Sequence, residues 1–211
     1  MLFEKRGSAL LASSLLVLLC VAGAVLASGP DAASAEPREH ASQDVWWSNL
    51  QALCGDAYAG ALVSTDEADA ALAGQPMVMH VRRCAPDRIE IPFHIGENRS
   101  RTWVLTRTDN GIQLQHDHRH EDGSEDVVTL YGGTTAEAGT PVAQFFPADA
   151  YSKTLFEAQG LDVSVTNVWS MELVPGERFS YILRRPGRHF RADFDLRDTV
   201  AQPPAPWGHE E

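Results

Sequence analysis

The chain has 211 residues, of which 44% are hydrophobic and 22% are charged, and its formal net charge is −12. This length suits one domain or at most two small ones, and the apolar fraction excludes wholesale disorder. The negative charge argues against a nucleic-acid-binding protein, because such proteins gain affinity by neutralising phosphates with Lys and Arg. We therefore expect no nucleic-acid partner.

The first segment has the pattern of a secretory signal peptide. Two basic residues precede an apolar stretch over residues 9–27, and small residues follow. Small-x-small spacing allows cleavage after Ala27 or after Ala35. The alternative is an uncleaved N-terminal membrane anchor, because the stretch approaches the ~20 residues that span a bilayer. Cleavage of residues 1–27 predicts an exported protein, periplasmic or secreted, with no membrane span left.

Export would place Cys54 and Cys84 in an oxidising compartment. An even pair of cysteines in an exported chain predicts one disulfide. It would close a loop of about 30 residues, for which chain entropy gives a stabilisation of roughly 3.5 kcal/mol. Two buried free thiols are the alternative.

The rest of the sequence predicts one domain between two polar ends. Residues 28–41 and 198–211 are small, polar and proline-containing, which indicates a disordered lead and a disordered tail. Residues 42–197 contain neither a linker nor an internal repeat and are expected to form a single domain. Within it, apolar spacing predicts two short accessory helices, over about 44–53 and 149–159.

Outside the helices, apolar and polar residues alternate with period two, and turn residues recur roughly every 8–12 positions. The predicted strands cover 60–63, 77–83, 88–95, 101–108, 111–120, 126–132, 142–146, 168–174, 178–185 and 189–196. Short connections predict antiparallel neighbours, and closure would remove exposed edges. We therefore expect an all-β antiparallel meander. It closes as a β-barrel, similar in architecture to the calycin group, or packs as a sandwich.

The side chains of greatest chemical interest lie on the strand predicted over 111–120. On an extended strand His116, His118 and His120 share the face that is apolar nearer the strand's start. Alternate residues lie about 6.6 Å apart, so two imidazoles can converge on one ion with bonds of about 2.0–2.1 Å. The alternative is a partly solvated cluster whose rings hydrogen-bond to neighbouring carboxylates such as Glu125.

This segment partly resembles the metal motif of the cupin family, in which Gly precedes His-x-His, then Glu, then Gly. His118 and His120 match the His-x-His pair. Glu125 and Gly132 follow at fitting distances, whereas Gly111 precedes the pair by one residue too many. The family's second motif, which supplies another His, is missing. The resemblance implies a divalent metal held by the three histidines and Glu125.

The remaining basic side chains and histidines give weaker signals. His80 and His94 alternate with apolar neighbours and are expected on the surface. Arg99, Arg101 and the arginines over 184–191 could bind a carboxylate or phosphate bidentately, or could pair with the abundant Asp and Glu. The sequence has no nucleophile motif and no phosphate loop, so whether the protein is an enzyme stays open.

Segments 91–103, 116–126 and 184–188 resemble an uncharacterised family of exported bacterial proteins. The resemblance implies one exported domain and no particular activity. Two functional hypotheses follow. The first is an exported small β-barrel that binds a small ligand. The second is a cupin-like metal-binding protein or metal-dependent enzyme that uses the His116, His118 and His120 cluster.

Overall fold

The computed structural model of the chain describes residues 41–209. The predicted signal peptide and residues 28–40 of the predicted lead lie outside the described residues, as do residues 210–211. Within the described part, no helix combines the length and the apolar character needed to cross a membrane.

Eleven strands of the described chain form one antiparallel sheet that curls into a nearly closed barrel, which confirms the all-β prediction. The strands are β1 Ala57–Leu62, β2 Met77–His80, β3 Arg83–Cys84, β4 Arg88–Ile95, β5 Asn98–Thr108, β6 Gly111–His118, β7 Tyr131–Thr134, β8 Ala143–Pro147, β9 Val168–Val174, β10 Arg178–Arg185 and β11 Arg188–Asp195. Two α-helices accompany them, α1 Ala41–Gln51 and α2 Ala150–Ala158, close to their predicted positions. Two 3₁₀ helices cover Glu67–Leu72 and Asp162–Thr166.

The sheet runs in the order β7-β6-β5-β4-β2-β1-β11-β10-β9-β8, with β3 paired to β4. Its two end strands approach each other through glycine backbone. A Cβ atom on Gly133 would lie 1.9 Å from the carbonyl oxygen of Pro147. The Asp149 N–H donates to the Gly132 carbonyl at 3.0 Å. The Ser152 hydroxyl of α2 also donates to that carbonyl, at 2.9 Å, and so pins the helix to this seam.

Inward-pointing side chains fill the barrel, as strand alternation requires. The centre is an aromatic cluster in which Trp103 stacks on Phe93 with ring centroids 4.8 Å apart and on Tyr181 at 4.5 Å. Phe194 meets Phe93 edge to face at 5.8 Å. All four side chains are buried, so they fix the spacing of the opposed walls of the barrel.

Helix α1 covers one end of the barrel. Its apolar stripe, Trp46 and Leu50, is fully buried, as the helical spacing predicts, and Trp47 is buried beside it. The Trp47 indole N–H donates to the Pro86 carbonyl in the turn between β3 and β4. Asp44 pairs with Arg107 near the end of β5. At the opposite end, where β4 turns into β5 and β10 into β11, no α-helix of residues 41–209 covers the barrel.

The predicted disulfide is confirmed. Cys54 and Cys84 are bonded, with their Cα atoms 6.3 Å apart, and join the chain after α1 to β3. The bond therefore ties the helix that covers one barrel end to the sheet.

Removing this bond is expected to lower the free energy of unfolding by about 2–4 kcal/mol, because the unfolded chain regains the entropy of an open loop. Urea denaturation of the double variant C54A/C84A measures the loss. Cys54 is exposed, so its replacement costs little packing. Reduced wild-type protein serves as the control and should match the variant. Equal stability of the variant and the oxidised protein would contradict this role.

The C-terminal segment, predicted to be disordered over 198–211, lies along the outside of the barrel over 198–209. The Arg99 guanidinium donates to the Ala205 carbonyl at 3.0 Å, and the Trp207 N–H donates to the Arg99 carbonyl at 3.1 Å. The prediction of disorder therefore does not describe these residues. Proline-rich composition suits an extended segment that packs on an existing surface and needs few backbone hydrogen bonds.

His80 and His94 are buried, with 6% and 4% of their surface exposed, so their predicted surface position is wrong. Alternation places them on the outer face of β2 and β4, but the C-terminal segment covers this face. His80 lines a cleft together with residues 202–205. Burial, followed by the charge of the nearby Arg99, lowers the pKa of His94 to about 4.

Candidate functional site

The barrel end opposite α1 contains a cavity of about 190 Å³. Strands β4, β5, β6, β7, β10 and β11 contribute its walls. The 3₁₀ helix Glu67–Leu72 covers one side through Asp69 and Leu72. The cavity thus lies inside the barrel, near the end opposite α1, and is reached from that end.

The floor and one wall of the cavity are aromatic. Phe93, Trp103 and Tyr181 stack with interplanar angles of 22° and 25° and present flat, apolar surface. The Tyr181 hydroxyl lies within the cavity lining, and burial raises the pKa of this group well above its ordinary value. It therefore remains protonated and acts as a hydrogen-bond donor.

His116 is buried beside this wall and both of its ring nitrogens are hydrogen-bonded. Nδ1 lies 3.0 Å from the Tyr131 carbonyl oxygen, which can only accept, so Nδ1 carries the proton. Nε2 therefore accepts from the Tyr181 hydroxyl at 2.7 Å. Burial, and to a smaller extent the neighbouring His118, lower the pKa of His116 to about 3. The ring is neutral at neutral pH and held in one orientation.

His118 follows on the same inward face, nearer the opening. Its ring centroid lies 6.5 Å from that of His116, and Nε2 lies 3.3 Å from the Tyr131 hydroxyl. Burial, then the charge of Arg101, lowers the pKa of His118 to about 4, whereas burial raises the pKa of Tyr131 to about 12. Two neutral imidazoles and two protonated phenols therefore converge on the cavity.

The other two predicted metal ligands lie apart from the cavity lining. Strand β6 ends at His118, two residues before the predicted end, and the exposed His120 belongs to the turn that follows. Glu125 pairs with the Arg119 guanidinium at 3.2 Å, on the side where Arg119 also meets Asp117. The shared-face prediction therefore holds for two histidines of the three.

In residues 41–209, no group of three or more His, Cys, Asp or Glu side chains is placed to hold a metal ion. A metal bound to Nε2 of His116 would replace the Tyr181 hydroxyl there. Joining His120 and Glu125 to the same ion would require the turn after β6 to rearrange. Divalent-metal binding by these four residues stays a prediction.

Two arginines reach the cavity and differ in their partners. Arg188 binds the buried Asp69 carboxylate bidentately and Asp66 at 2.9 Å, which ties the 3₁₀ helix to β11. Arg101 instead donates to neutral oxygens, those of Asn98 at 3.1 Å and Ser100 at 3.3 Å. The predicted pairing of arginines with carboxylates is thus present at Arg188, whereas the hydrogen bonds of Arg101 go to uncharged oxygens.

A larger concavity, of about 680 Å³, lies on the outside of the barrel beside β1 and β11. Small side chains such as Ala59 and Ala61 form part of its lining. Its two arginines pair with carboxylates of the same lining, Arg178 with Asp193 and Arg197 with Asp195. Because the cavity in the barrel combines buried aromatic walls with buried, oriented polar groups, it is the better candidate site.

Three residues of the site, Trp103, Tyr131 and Tyr181, were not among the site residues predicted from the sequence. Alternation alone places Trp103 and Tyr181 inward, and that signal was available in their strands. Their meeting at one height of the barrel depends on strand register, since Trp103 is opposite His116 and Tyr181 is opposite Met171. The sequence of one strand does not by itself specify its register with a distant strand.

The fold and the site together define a small antiparallel β-barrel with an aromatic-lined cavity at its uncovered end. In comparisons with known proteins, no protein-family model, curated protein or solved structure matches this chain. The cavity and its residues therefore carry the functional proposal.

Proposed function

We propose that this protein is an exported β-barrel that binds one small ligand in the cavity between Trp103, His116 and Tyr181. The observation that carries the proposal is the combination of aromatic walls with a few fixed polar groups inside one concave site. Binding sites for small molecules have this composition, because apolar surface supplies affinity and a few polar groups set orientation.

The volume of the cavity limits the size of the ligand. A cavity of about 150 Å³ in an apolar protein core admits benzene. The 190 Å³ cavity therefore suits a molecule with one ring and a short substituent. A long acyl chain or a fused polycyclic molecule would exceed it.

Export is supported by the covalent chemistry of the chain. Disulfides persist in oxidising compartments and are rare in the cytosol, and Cys54 is bonded to Cys84. The signal-peptide pattern of residues 1–27 agrees with such a compartment. A ligand of this barrel would then be met in the periplasm or outside the cell.

Filling the cavity is expected to abolish ligand binding. Leu183 lines the cavity, and L183W would place an indole in the space that the ligand occupies. Calorimetry with benzyl alcohol, benzamide and benzoate measures the effect. We expect at least one of the three to bind the wild type and none to bind L183W. The matched control V142W changes an exposed side chain and should bind as the wild type does. Equal binding by L183W and the wild type would contradict the site.

Metal binding is the alternative, and the closeness of His116 and His118 favours it. It predicts that zinc, nickel or manganese binds stoichiometrically and that affinity falls as the pH approaches about 4, because burial keeps both imidazoles neutral above that pH and protonated imidazole cannot bind a metal. The variant H118A would abolish binding, whereas H189A, which changes a histidine outside the cavity lining, would not. The small-ligand proposal instead predicts no metal above trace levels and no thermal shift with these ions.

A further inference from the structure

The cationic group of the cavity belongs to an inward row of side chains that crosses three strands. Arg101 on β5 is opposite Phe93 on β4 and opposite His118 on β6. Directly opposed residues of antiparallel strands point to the same face of a sheet. The guanidinium therefore shares the cavity lining with an aromatic ring on one side and an imidazole on the other.

The charge of Arg101 has no carboxylate partner within ion-pair distance in residues 41–209, where its guanidinium donates hydrogen bonds to Asn98 and Ser100. The other basic side chain of the lining, Arg188, is paired with two carboxylates: that of Asp69, which also lines the cavity, and that of Asp66, which lies outside the lining. Asp126 acts on His118 from longer range, and its carboxylate accepts the Val128 N–H at 2.8 Å.

The remaining titratable groups of the lining are uncharged at neutral pH. His116 and His118 are held neutral, and Tyr131 and Tyr181 are held protonated, chiefly by burial. Among the side chains that line the cavity, Arg101 is therefore the cation without a carboxylate partner, in a chain whose formal net charge is −12. A lone guanidinium beside apolar walls is a recognition group for a carboxylate, because its fork of N–H donors matches the two carboxylate oxygens.

We propose that the cavity selects a small planar anion of the single-ring aromatic carboxylate class. The ring lies against the face formed by Trp103 and Tyr181, and the carboxylate binds the Arg101 guanidinium. This inference rests on the proposed function and adds to it the charge and shape of the ligand. It assigns Arg101 as the residue that determines specificity.

Calorimetry with three matched probes tests the inference. Benzoate carries ring and charge, benzamide keeps the ring without the charge, and cyclohexanecarboxylate keeps the charge without the flat ring. For the wild type we expect benzoate to bind at least about tenfold more tightly than benzamide, because a hydrogen bond to a charged group contributes an affinity of this order. We expect it also to bind more tightly than cyclohexanecarboxylate, because only the flat ring stacks on Trp103 and Tyr181.

Two variants and a control test whether Arg101 supplies the positive charge that binds the carboxylate. R101Q should weaken benzoate binding at least about tenfold and leave benzamide unchanged. R101K keeps the charge without the fork and should give an intermediate affinity for benzoate. The control R184Q removes an exposed arginine outside the cavity lining and should bind all probes as the wild type does. Circular dichroism of each variant establishes that it is folded.

The failures of the two proposals are distinguishable. Equal affinities for benzoate and benzamide, with no effect of R101Q, would overturn the selection of an anion and leave the small-ligand site standing. Equal affinities for benzoate and cyclohexanecarboxylate would overturn the requirement for a flat ring. No binding of any probe would overturn the small-ligand proposal together with this inference.

Discussion

Lowering the pH from about 7 to about 4 is expected to destabilise the folded protein steeply, because burial lowers the pKa of four histidines: that of His80, and by larger shifts those of His94, His116 and His118. Burial lowers the pKa of His94 and of His118 to about 4 and that of His116 to about 3. In the unfolded chain all four regain the ordinary value near 6.5. Two of them lie in the cavity, and the other two lie beneath the C-terminal segment.

The sign of the change in stability depends on whether the folded or the unfolded state takes up protons at the higher pH. Since the pKa values of the folded state are the lower ones, the unfolded state takes up protons as the pH falls below about 6.5. The stabilisation is complete above that pH and is lost as the pH falls towards 4 or 3. Each such histidine contributes a slope of about 1.4 kcal/mol per pH unit within its window. Below that range Asp195, whose pKa its bonds to Arg197 lower to about 2, continues the loss.

Urea denaturation between about pH 7 and about pH 4 measures this slope. The variant H94L should make it shallower without lowering stability at neutral pH, because Nε2 of His94 is buried with no hydrogen-bond partner. The variant H120Q is the control, since His120 is exposed in the folded protein as it is in the unfolded one. An unchanged slope in H94L would contradict the assignment of His94 to the acid-sensitive set.

Adding one methyl group at the barrel seam, in the variant G133A, is expected to cost more than about 3 kcal/mol, beyond the usual range for overpacking. The new Cβ would lie 1.9 Å from the Pro147 carbonyl oxygen and 2.8 Å from its carbon. These are backbone atoms, which cannot turn away as a side chain does. The two end strands of the sheet would have to separate.

The consequence of that separation should reach the cavity. Strand β7 begins at Tyr131, which lines the cavity and accepts the His116 ring proton through its carbonyl. We therefore expect G133A to weaken ligand binding in addition to lowering the urea midpoint.

A second glycine separates the effect of the clash from that of backbone strain. Gly187 has a φ of 71°, and a Cβ atom there would meet no atom within 4 Å. The control G187A should therefore cost only the about 1–2 kcal/mol of a left-handed non-glycine residue. Equal losses in G133A and G187A would show that the seam tolerates the methyl group.

The two last strands show how much of the fold the sequence predicts. In β10 and β11 apolar and polar residues alternate, which indicates inward positions for Phe179 and Tyr181 and for Phe190 and Phe194, and all four are buried. The strand predicted over 126–132 is wrong in its extent, because β7 covers only Tyr131–Thr134. Residues before it are held by side-chain contacts such as the Thr129 hydroxyl accepting the His118 N–H, which a local pattern does not indicate.

The candidate site was likewise predicted from the sequence only in part. The inward face of His116 and His118 was predicted from their spacing, but the end of β6 after His118 removed His120 from that face. Arg101 was one of several arginines in the sequence. Only the fold gives it a place in the cavity, and only the fold gives Arg188 the Asp69 carboxylate as partner.

The sequence by itself determined the period-two pattern, the two helices and the cysteine pair, because these depend on neighbouring residues or on simple chemistry. Tertiary structure alone decided between a barrel and a sandwich, buried His80 and His94 beneath the C-terminal segment and set the height at which Trp103 meets Tyr181. Each of these depends on which distant segment covers a given face. A strand specifies its two faces locally, but the partner that buries each face, and the register at which it does so, come from residues far along the chain.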